Sequence, residues 1–366
     1  MRILLLGRYN PSEVLAGPEK FAKRLYHNLL AQKIECEFVE YFFDGKKYSL
    51  SKKLFGNDTL ILNSVKIFRL GLVPFFLFLV KRKPQIIHLV TYERFEFIAY
   101  LYSFFARTQI LFSVHGFVNY ENHSLVSRKV VSTLKIKDKL FEYIFMIKSD
   151  QIHIPSDQYK KKLLELYKLN ETKVIVIPNG VDEDFFVSKL NNIKTHNKMK
   201  TVFIGDEYRQ EKGLEFLLKN IENINEYSEV YLLGDVFTSK NNYKDLHIVP
   251  KMSKSDMKNL FIQMDIILSC SYYDLFSISV LEGAAIGLFP VLTRETGISE
   301  LFLKLNIGEV FDYSDSESFV NIFQKLFFNR SLLEKHIQNK DVLQKYSWKN
   351  ISISFQDLYY QMLISQ

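Results

Sequence analysis

Short apolar segments alternate with segments of helical period along almost the whole chain of 366 residues. In the helical segments apolar residues recur three or four positions apart, as in Phe21, Leu25 and Leu29, which is the spacing of one buried helix face. Strands that alternate with helices predict parallel sheets with helices on both faces. The predicted strands form two series, residues 2–6, 34–39, 86–90, 110–114 and 174–177, then residues 202–205, 230–233, 266–270 and 290–293.

Two such series predict an α/β protein with two doubly wound, Rossmann-like domains. The turn cluster Pro178-Asn179-Gly180-Val181-Asp182 separates the series, because proline, asparagine and glycine favour turns. We therefore predict an N-terminal domain over residues 1–180 and a C-terminal domain over residues 181–349. Substrates of doubly wound domains bind at the carboxyl ends of the strands, so we expect the site to lie in a cleft between the domains.

Positive charge is concentrated in the N-terminal half of the chain. Residues 1–150 carry 23 Lys and Arg against 13 Asp and Glu, whereas the remainder carries 25 against 28. This asymmetry favours an anionic partner such as a phosphorylated substrate, anionic lipid or nucleic acid. A solvated lysine-rich surface explains the charge equally well.

Cysteine spacing and hydropathy limit the class of protein further. Cys36 and Cys270 lie far apart with no C-x-x-C spacing, which excludes a disulfide framework and a cysteine zinc site and favours a reducing compartment. The longest apolar run, residues 70–80, contains Pro74 and is shorter than the roughly 20 residues that cross a membrane. We predict a buried or interfacial helix for this run. We find no convincing targeting segment and expect a cytoplasmic protein that rests on a membrane surface.

The loop after the first predicted strand contains Gly17 and Pro18. Proline suits the first position of a helix, and a glycine before it lets another group approach the backbone closely. The N–H groups of such a helix start can bind an anion, although an ordinary strand-to-helix turn explains the loop as well. Neither G-x-G-x-x-G nor G-x-x-x-x-G-K-[ST] occurs in the chain, which counts against dinucleotide dehydrogenases and P-loop nucleotidases.

Two further polar segments directly follow predicted strands. His115 follows strand 110–114 and precedes Gly116, and this position at the expected cleft favours a functional role over a structural one. Arg209 and Lys212 follow the strand that ends at Gly205. These two cations could hold a diphosphate, the arginine through its fork and the lysine as a point charge, although a solvated basic turn also explains them.

The strongest pattern places Asp274 and Glu282 eight positions apart across a strand-to-helix turn. The backbone N–H groups of Phe276, Ser277 and Ile278 would mark the start of that helix and point at an anion. The small residues that follow, among them Gly283, would let the helix pack closely on the sheet. Carboxylates repel phosphates, so we expect Asp274 and Glu282 to accept hydrogen bonds from hydroxyls of a sugar or a ribose.

In this combination the chain resembles the retaining GT-B glycosyltransferases of family 4. Their E-x7-E signature reads Asp274-x7-Glu282 here, and their P-N-G-V-D segment stands unaltered at residues 178–182. Their strand ending in His-Gly corresponds to His115-Gly116, their glycine-rich first loop to Gly17, and their G-R-L-x-x-x-K-G to residues 205–213. The resemblance implies a GT-B fold of two domains facing across a cleft, with a final helix at about residues 350–366 that crosses back onto the N-terminal domain.

The chain departs from the family pattern at four places in the C-terminal domain. One is a length difference, since residues 287–291 read G-x-x-P-V instead of the usual G-x-P-V. Asp274 replaces the first glutamate, and Asp206 replaces the usual arginine, for which Arg209 would substitute. Leu275-Phe276-Ser277 replaces Gly-Phe-Gly, which makes the loop less permissive.

The resemblance also implies a role for each site residue. Arg209 and Lys212 would bind the donor diphosphate, assisted by Gly205 and by the amides of Phe276, Ser277 and Ile278. Glu282 would bind the ribose, Asp274 and His115 the transferred sugar, and Gly17 would admit the phosphates or the acceptor. We expect a UDP- or GDP-sugar as co-substrate, and neither a cofactor nor a metal ion.

The N-terminal domain is expected to hold a glycan or lipid-linked acceptor, with Asn119, Tyr120 and Glu121 as the contact residues. Several cations of this domain flank apolar stretches of the chain. These cations are Lys46, Lys47, Lys52, Lys53 and residues 81–83. Such a combination suits an anionic membrane surface. We expect an enzyme of polysaccharide or lipopolysaccharide synthesis at the inner face of the cell membrane.

Four other functions are alternatives to this one. A non-catalytic GT-B protein that binds a glycan or a partner is suggested by Asp206 and Asp274, although Lys212, Glu282 and His115 count against it. An epimerase or a phosphorylase could share the fold. Nucleic-acid binding rests on basicity alone, without a recognised module, and we do not expect it.

Overall fold

A computed structural model describes residues 1–12, 17–42, 48–62, 65–91, 96–117, 139–186, 198–235 and 243–364. The described residues fall into two compact units. Unit 1 comprises those within Met1–Asn119, Arg128–Asn179 and Trp348–Gln366, and unit 2 those within Gly180–Ser347.

Unit 1 is built on an eight-stranded sheet in the order β3-β4-β2-β1-β5-β6-β7-β8. All neighbours are parallel except β3 and β4, which pair antiparallel at one edge. The strands are β1 (Ile3–Leu6), β2 (Cys36–Tyr41), β3 (Asn57–Leu62), β4 (Val65–Leu70), β5 (Ile86–Leu89), β6 (Gln109–Ser113), β7 (Gln151–Ile154) and β8 (Val174–Val176). Its helices up to unit 2 are α1 (Gly17–Ala31), α2 (Leu50–Phe55), α3 (Leu72–Arg82), α4 (Phe97–Phe105), α5 (residues 139–148) and α6 (Asp157–Tyr167).

Unit 2 contains a six-stranded, all-parallel sheet in the order β11-β10-β9-β12-β13-β14. Its strands are β9 (Met199–Ile204), β10 (Ser228–Leu233), β11 (Leu246–Val249), β12 (Ile266–Ser269), β13 (Phe289–Thr293) and β14 (Glu309–Phe311). Its α-helices are α7 (Leu214–Ile224), α8 (Lys254–Ile262), α9 (Ile278–Ile286), α10 (Ser299–Leu305), α11 (Ser316–Phe328) and α12 (Ser331–Asn339). Short 3-10 turns occupy Glu171–Lys173 in unit 1 and Glu183–Phe185, Gln210–Lys212 and Lys340–Tyr346 in unit 2.

Successive strand residues in unit 2 enter different cores, as expected for a sheet covered on both faces. Ile266 and Leu268 of β12 join the apolar cluster formed with α7 and α11. Ile267, between them, joins the cluster formed with α8, α9 and α10. The predicted α/β fold with two Rossmann-like domains is therefore confirmed.

The final helix α13 (Trp348–Ile364) belongs to unit 1, as the resemblance implied. It packs against α1, and Gln32, just after α1, donates through Nε2 to Ser352 Oγ over 2.6 Å. Aromatic residues fill the interface, since the Phe21 ring lies against Trp348 and Phe355.

The strand predictions were correct but incomplete. All nine predicted segments overlap strands, whereas β3, β4, β7, β11 and β14 were missed. The apolar run 70–80 was predicted as one buried or interfacial helix, but Leu70 ends β4 and the helix begins at Leu72. Only Phe75 and Leu79 of α3 are buried.

A line of buried polar groups joins α13 to four successive strand ends of unit 1. His153 Nε2 lies 2.8 Å from the carbonyl oxygen of Ile177, which can only accept, so Nε2 carries the proton and Nδ1 accepts from Ser113 Oγ over 2.8 Å. Ser113 Oγ must then accept a hydrogen bond from His88 Nε2 over 2.7 Å. His88 Nδ1 in turn accepts from the hydroxyl of Tyr359, also over 2.7 Å. This direction of donation requires both histidines to be neutral.

Burial opposes the charged form of these histidines. It lowers the pKa of His153 to about 3 and the pKa of His88 well below its ordinary value. An unfolded histidine titrates near pH 6.5, so between about pH 6.5 and about pH 3 the unfolded chain binds protons that native His153 does not. The free energy of unfolding therefore falls as the pH is lowered through this window.

We expect the melting temperature of unit 1 to fall between pH 7.5 and pH 5, and His153→Asn to reduce this fall. The asparagine can still accept from Ser113 but does not titrate, so the variant should be less stable at pH 7.5 yet less sensitive to acid. Calorimetry over the pH range measures the slope. His247→Asn, at an exposed histidine of unit 2, should leave the slope unchanged, and equal slopes for wild type and His153→Asn would contradict the prediction.

Candidate functional site

The candidate site in unit 2 is built where β9 and β12 end. These two strands are parallel neighbours, with Val202 opposite Ile267 and Phe203 opposite Leu268. Both strands therefore end at the same edge of the sheet. The segment after β9 carries Lys212, and the segment after β12 carries Asp274.

A close backbone approach holds these two segments together. Gly213 has φ +74°, and a Cβ there would lie 1.8 Å from the carbonyl oxygen of Cys270, so only glycine fits this position. The amide of Tyr272 also donates to the carbonyl of Glu211 over 3.0 Å. The side chain of Lys212 is thereby fixed above the end of β12.

Lys212 and Asp274 form an ion pair with a distance of 2.6 Å between Nζ and Oδ2. The two side chains are 18% and 13% exposed, so solvent screens the pair weakly. Burial opposes the charge of the Asp274 carboxyl, but the Lys212 ammonium and the amide of Phe276 outweigh it and lower the pKa of Asp274 below its ordinary value. The site therefore holds a fixed pair of opposite charges at neutral pH.

Asp274 also takes two of the amides that were expected to bind donor phosphate. Its Oδ1 accepts from the N–H groups of Phe276 and Ser277 over 3.2 and 3.1 Å. Ile278, the third residue of that expectation, begins α9. A phosphate bound by these amides would have to displace the Asp274 carboxylate.

Arg209, the other predicted diphosphate ligand, is paired too. Its Nε donates to Glu211 Oε1 over 2.6 Å, and its side chain is half exposed. Both predicted cations of the site thus contact carboxylates of the chain itself. Glu211 was missed by the sequence analysis, although it stands between the two cations.

Helix α9 carries the second carboxylate of the motif. Glu282 is fully buried in this helix. A Cβ on Gly283 would lie 3.0 Å from Cβ of Ile267, which confirms that small residues let α9 pack closely on the sheet. Ser277 caps the helix with φ +65° and ψ +80°, the left-handed conformation that glycine adopts most readily.

A third segment, after β13, completes the surroundings of Asp274. Thr296 pairs with Asp274 as an isolated bridge, and the amide of Gly297 donates to the Asp274 carbonyl over 2.8 Å. The Thr296 hydroxyl lies 3.0 Å from the Thr293 hydroxyl and 3.1 Å from the Ser269 hydroxyl. This segment was not predicted from the sequence, although polar residues directly after a strand were the signal that identified His115.

Asp206, which replaces the usual arginine, belongs to a separate charged cluster after β9, β10 and β11. Its Oδ1 accepts from the amide of Asp235 over 2.9 Å, and its Oδ2 lies 3.1 Å from Lys251 Nζ. Burial opposes the charge of Lys251, but hydrogen bonds to Asp235 and Asp206 raise its pKa above its ordinary value. Gly205 directly precedes Asp206. A Cβ on Gly234 would lie 2.1 Å from the carbonyl oxygen of Gly205.

Of the predicted residues in unit 1, His115 and Gly17 are described. His115 Nε2 donates to the Val90 carbonyl over 3.0 Å, and burial lowers the pKa of His115 to about 4, so its Nδ1 keeps a lone pair at neutral pH. A Cβ on Gly17, the first residue of α1, would meet no atom of the described residues within 4 Å. Asn119, Tyr120 and Glu121 lie outside the described residues, as do Lys46 and Lys47.

Two properties of the described residues bear on possible ligands and membranes. They contain no group of three or more His, Cys, Asp or Glu side chains arranged to hold a metal ion. They also contain no helix that is long and apolar enough to span a bilayer.

Family models match both halves of the chain. The model described as Glycosyltransferase Family 4 matches residues 15–185, and the model described as Glycosyl transferases group 1 matches residues 184–341. The chain belongs to glycosyltransferase family 4. Its fold is the GT-B fold of that family.

The proteins that this family 4 protein resembles are distant from it in sequence, and the two solved structures named below share its fold. An uncharacterized glycosyltransferase of Methanocaldococcus jannaschii is 24% identical over 58% of this chain, and the alignment spans 60% of that relative. The sucrose-phosphate synthase of Thermosynechococcus elongatus has a TM-score of 0.75 at 14% identity, covering 100% of both chains. The Anabaena protein HepE, solved with UDP-glucose, has a TM-score of 0.72 at 13% identity, covering 99% of this chain and 100% of that one.

Gly213→Ala should lower the free energy of unfolding of the family 4 protein by roughly 2 kcal/mol or more. The new methyl group would overlap the Cys270 carbonyl, and the backbone would have to leave its left-handed conformation. Chemical denaturation measures the change. The matched control is Gly17→Ala, where a Cβ has open space; equal effects of the two substitutions would contradict the assignment of Gly213 as a steric requirement.

Ser277→Gly should raise the free energy of unfolding by up to about 1 kcal/mol, because relief of the left-handed conformation exceeds the entropic cost of glycine. Ser277→Val should lower it by about 1–2 kcal/mol, since a β-branched residue tolerates positive φ poorly. Urea midpoints of both variants test the pair. A stability order other than Gly, Ser, Val would refute the strain at the start of α9.

Proposed function

We propose that this chain transfers a glycosyl group from a nucleotide-sugar donor to a hydroxyl of a glycan or lipid-linked acceptor. The observation that supports this most is the weakly exposed Lys212–Asp274 pair at the start of α9. An ammonium, backbone amides and two carboxylates within one small region suit a ligand with a diphosphate next to hydroxyl-rich sugars. Membership of glycosyltransferase family 4 supports the same reaction class.

In the proposed reaction the bond between the sugar C1 and the diphosphate oxygen breaks, and C1 bonds to the acceptor oxygen. The acceptor proton passes to the leaving diphosphate. Lys212 and Arg209 neutralise the charge that develops there, so we propose that no divalent metal is needed. We further propose attack from the side of the leaving group, which retains the configuration at C1.

Binding of the diphosphate would exchange the partners of the Lys212–Asp274 pair. Lys212 would turn from Asp274 to the phosphates, and the released carboxylate would accept hydrogen bonds from the hydroxyls of the transferred sugar. Glu282 would do the same for the ribose, and His115 Nδ1 for a sugar hydroxyl. Each of these acceptors is buried or partly buried, where the loss of one hydrogen bond to a ligand discriminates strongly between ligands.

We propose UDP- or GDP-sugars as donors, and HepE of Anabaena, which was solved with UDP-glucose, supports the first. For the acceptor we propose a glycan or lipid-linked glycan of cell-surface polysaccharide or lipopolysaccharide synthesis, at the inner face of the cell membrane. The excess of cations in the N-terminal half supports an anionic acceptor or surface.

One observation favours a second candidate, a non-catalytic GT-B protein that binds a glycan or a partner. Both cations expected to bind the diphosphate are paired with carboxylates of the chain itself. A chain that has lost donor binding could retain such pairs as structural contacts. Donor binding and turnover therefore have to be measured separately.

We expect one class of nucleotide sugar to raise the melting temperature, since a donor at 100 times its Kd stabilises by about 2.7 kcal/mol. Lys212→Met should abolish this shift and lower donor turnover by about 10²–10³-fold. A thermal-shift screen of UDP-, GDP-, ADP- and dTDP-sugars, then release of the nucleoside diphosphate with membrane glycolipid extract, provides both readouts.

Lys198→Met is the matched control, because Lys198 forms a comparably covered pair with Asp245 in the same unit, with a distance of 2.7 Å. It should keep both donor binding and turnover. Donor binding without any turnover would favour the non-catalytic candidate. A wild type that responds to none of the donors would refute the proposed donor site.

A further inference from the structure

Three helices of unit 1 carry apolar side chains on their exposed faces as well as on their buried ones. In α4 the exposed apolar residues are Phe97, Leu101, Phe104 and Phe105; in α3 they are Val73, Phe76, Leu77 and Val80; in α5 they are Leu140, Tyr143, Ile144 and Ile147. Each set recurs at three, four and seven or eight positions, which places it along one side of its helix. A solvated helix face is normally polar, so the repetition in three helices calls for a covering partner.

The three helices lie side by side on the same face of the sheet. They lead from β4 to β5, from β5 to β6 and into β7, all in the same direction across the sheet, and right-handed crossovers in one direction lie on one face. Helix α3 packs on α4. The Tyr100 ring of α4 stacks on the Phe145 ring of α5 at 4.9 Å. The exposed stripes therefore form one surface, which we call the three-helix face.

Among the described residues, lysine and arginine outnumber exposed carboxylates next to these helices, where Asp150, two residues after α5, is exposed. Lys81 and Lys83 stand at the end of α3, Arg107 follows α4, and Lys139 and Lys148 stand at the two ends of the described part of α5, all exposed. Two further carboxylates are buried, namely Glu96, which directly precedes α4, and Glu142, which lies within α5.

The most prominent residues of the face are Phe104 and Phe105, which are 84% and 77% exposed and touch edge to face. Aromatic rings at the edge of an apolar surface, ringed by lysine and arginine, suit the boundary between lipid headgroups and acyl chains. A second copy of the chain is a less suitable partner for this face, because a two-fold pairing would bring the lysines and arginine of the two copies together.

We infer that the three-helix face docks the chain on a bilayer that contains anionic lipid, with Phe104 and Phe105 entering the headgroup region. The inference deepens the proposed function, on which it rests only for the lipid-linked nature of the acceptor. Of the cations proposed from the sequence, the inference keeps those of residues 81–83 at the end of α3, and it replaces lysines 46–53 by α4 and α5. Docking itself requires neither donor nor acceptor.

The test is co-sedimentation of the full chain with vesicles of phosphatidylcholine alone and of phosphatidylcholine with an equal amount of phosphatidylglycerol. Wild type should bind the anionic vesicles and hardly the neutral ones. Phe104→Ser with Phe105→Ser should weaken binding about tenfold or more. Lys81→Gln, Lys83→Gln and Arg107→Gln should each weaken it about fivefold, on the anionic vesicles alone.

Phe328→Ser is the matched control, since Phe328 is 74% exposed but lies on α11 of unit 2; it should bind as wild type does. All substituted residues are exposed, and unchanged thermal melts will show that the variants fold. Equal binding of wild type and the double Phe variant, or no dependence on anionic lipid, would overturn the inference. The inference would also be overturned if light scattering showed a wild-type dimer that binds no vesicles, and if the double Phe variant were a monomer.

The vesicle assay separates the two proposals of this chain. Vesicle binding by a protein that transfers no sugar would refute the proposed function and leave the docking face standing. Sugar transfer by a protein that binds no vesicle would refute the docking face and leave the proposed function standing.

Discussion

The candidate site depends on the parallel pairing of β9 with β12. Because both strands end at the same edge, residues that are far apart in the sequence, such as Lys212 and Asp274, meet over 2.6 Å. The pairing alone does not fix the distance; the approach of Gly213 to the Cys270 carbonyl does, since it leaves the Lys212 segment no freedom to rise from the sheet. The ion pair therefore depends on this backbone contact as well as on the strand pairing.

The sequence predicted the fold well because buried strands of parallel sheets are short, apolar and bounded by turn residues. It missed the strands that lack this pattern. The edge hairpin of β3 and β4 begins with exposed Asn57 and Asp58. Strand β7 alternates Gln151 and His153 with isoleucines instead of forming a continuous apolar run, and only the folded chain provides the hydrogen bonds of His153. Burial of polar groups through such bonds has no local signature in a sequence.

For the candidate site, the sequence predicted which residues meet but not which contacts they form. Polar residues after strand ends identify Lys212, Asp274 and Arg209, since topology brings these positions together. Their spacing cannot reveal that Asp274 takes both the ammonium and the amides expected for phosphate. An anionic ligand at these groups would gain only the difference in free energy between its own bonds and the similar bonds that Asp274 already forms.

The line of hydrogen bonds from Tyr359 to the Ile177 carbonyl bears on how the protein is made. Its first donor stands on α13, which is synthesised only after the whole of unit 2. At about 5–20 residues per second, on the order of 10–30 s pass between synthesis of Asn179 and of Trp348. During that interval the face of unit 1 that α13 covers lacks its cover, and His88 lacks its donor. Unit 1 therefore begins to form first on the ribosome and is completed last.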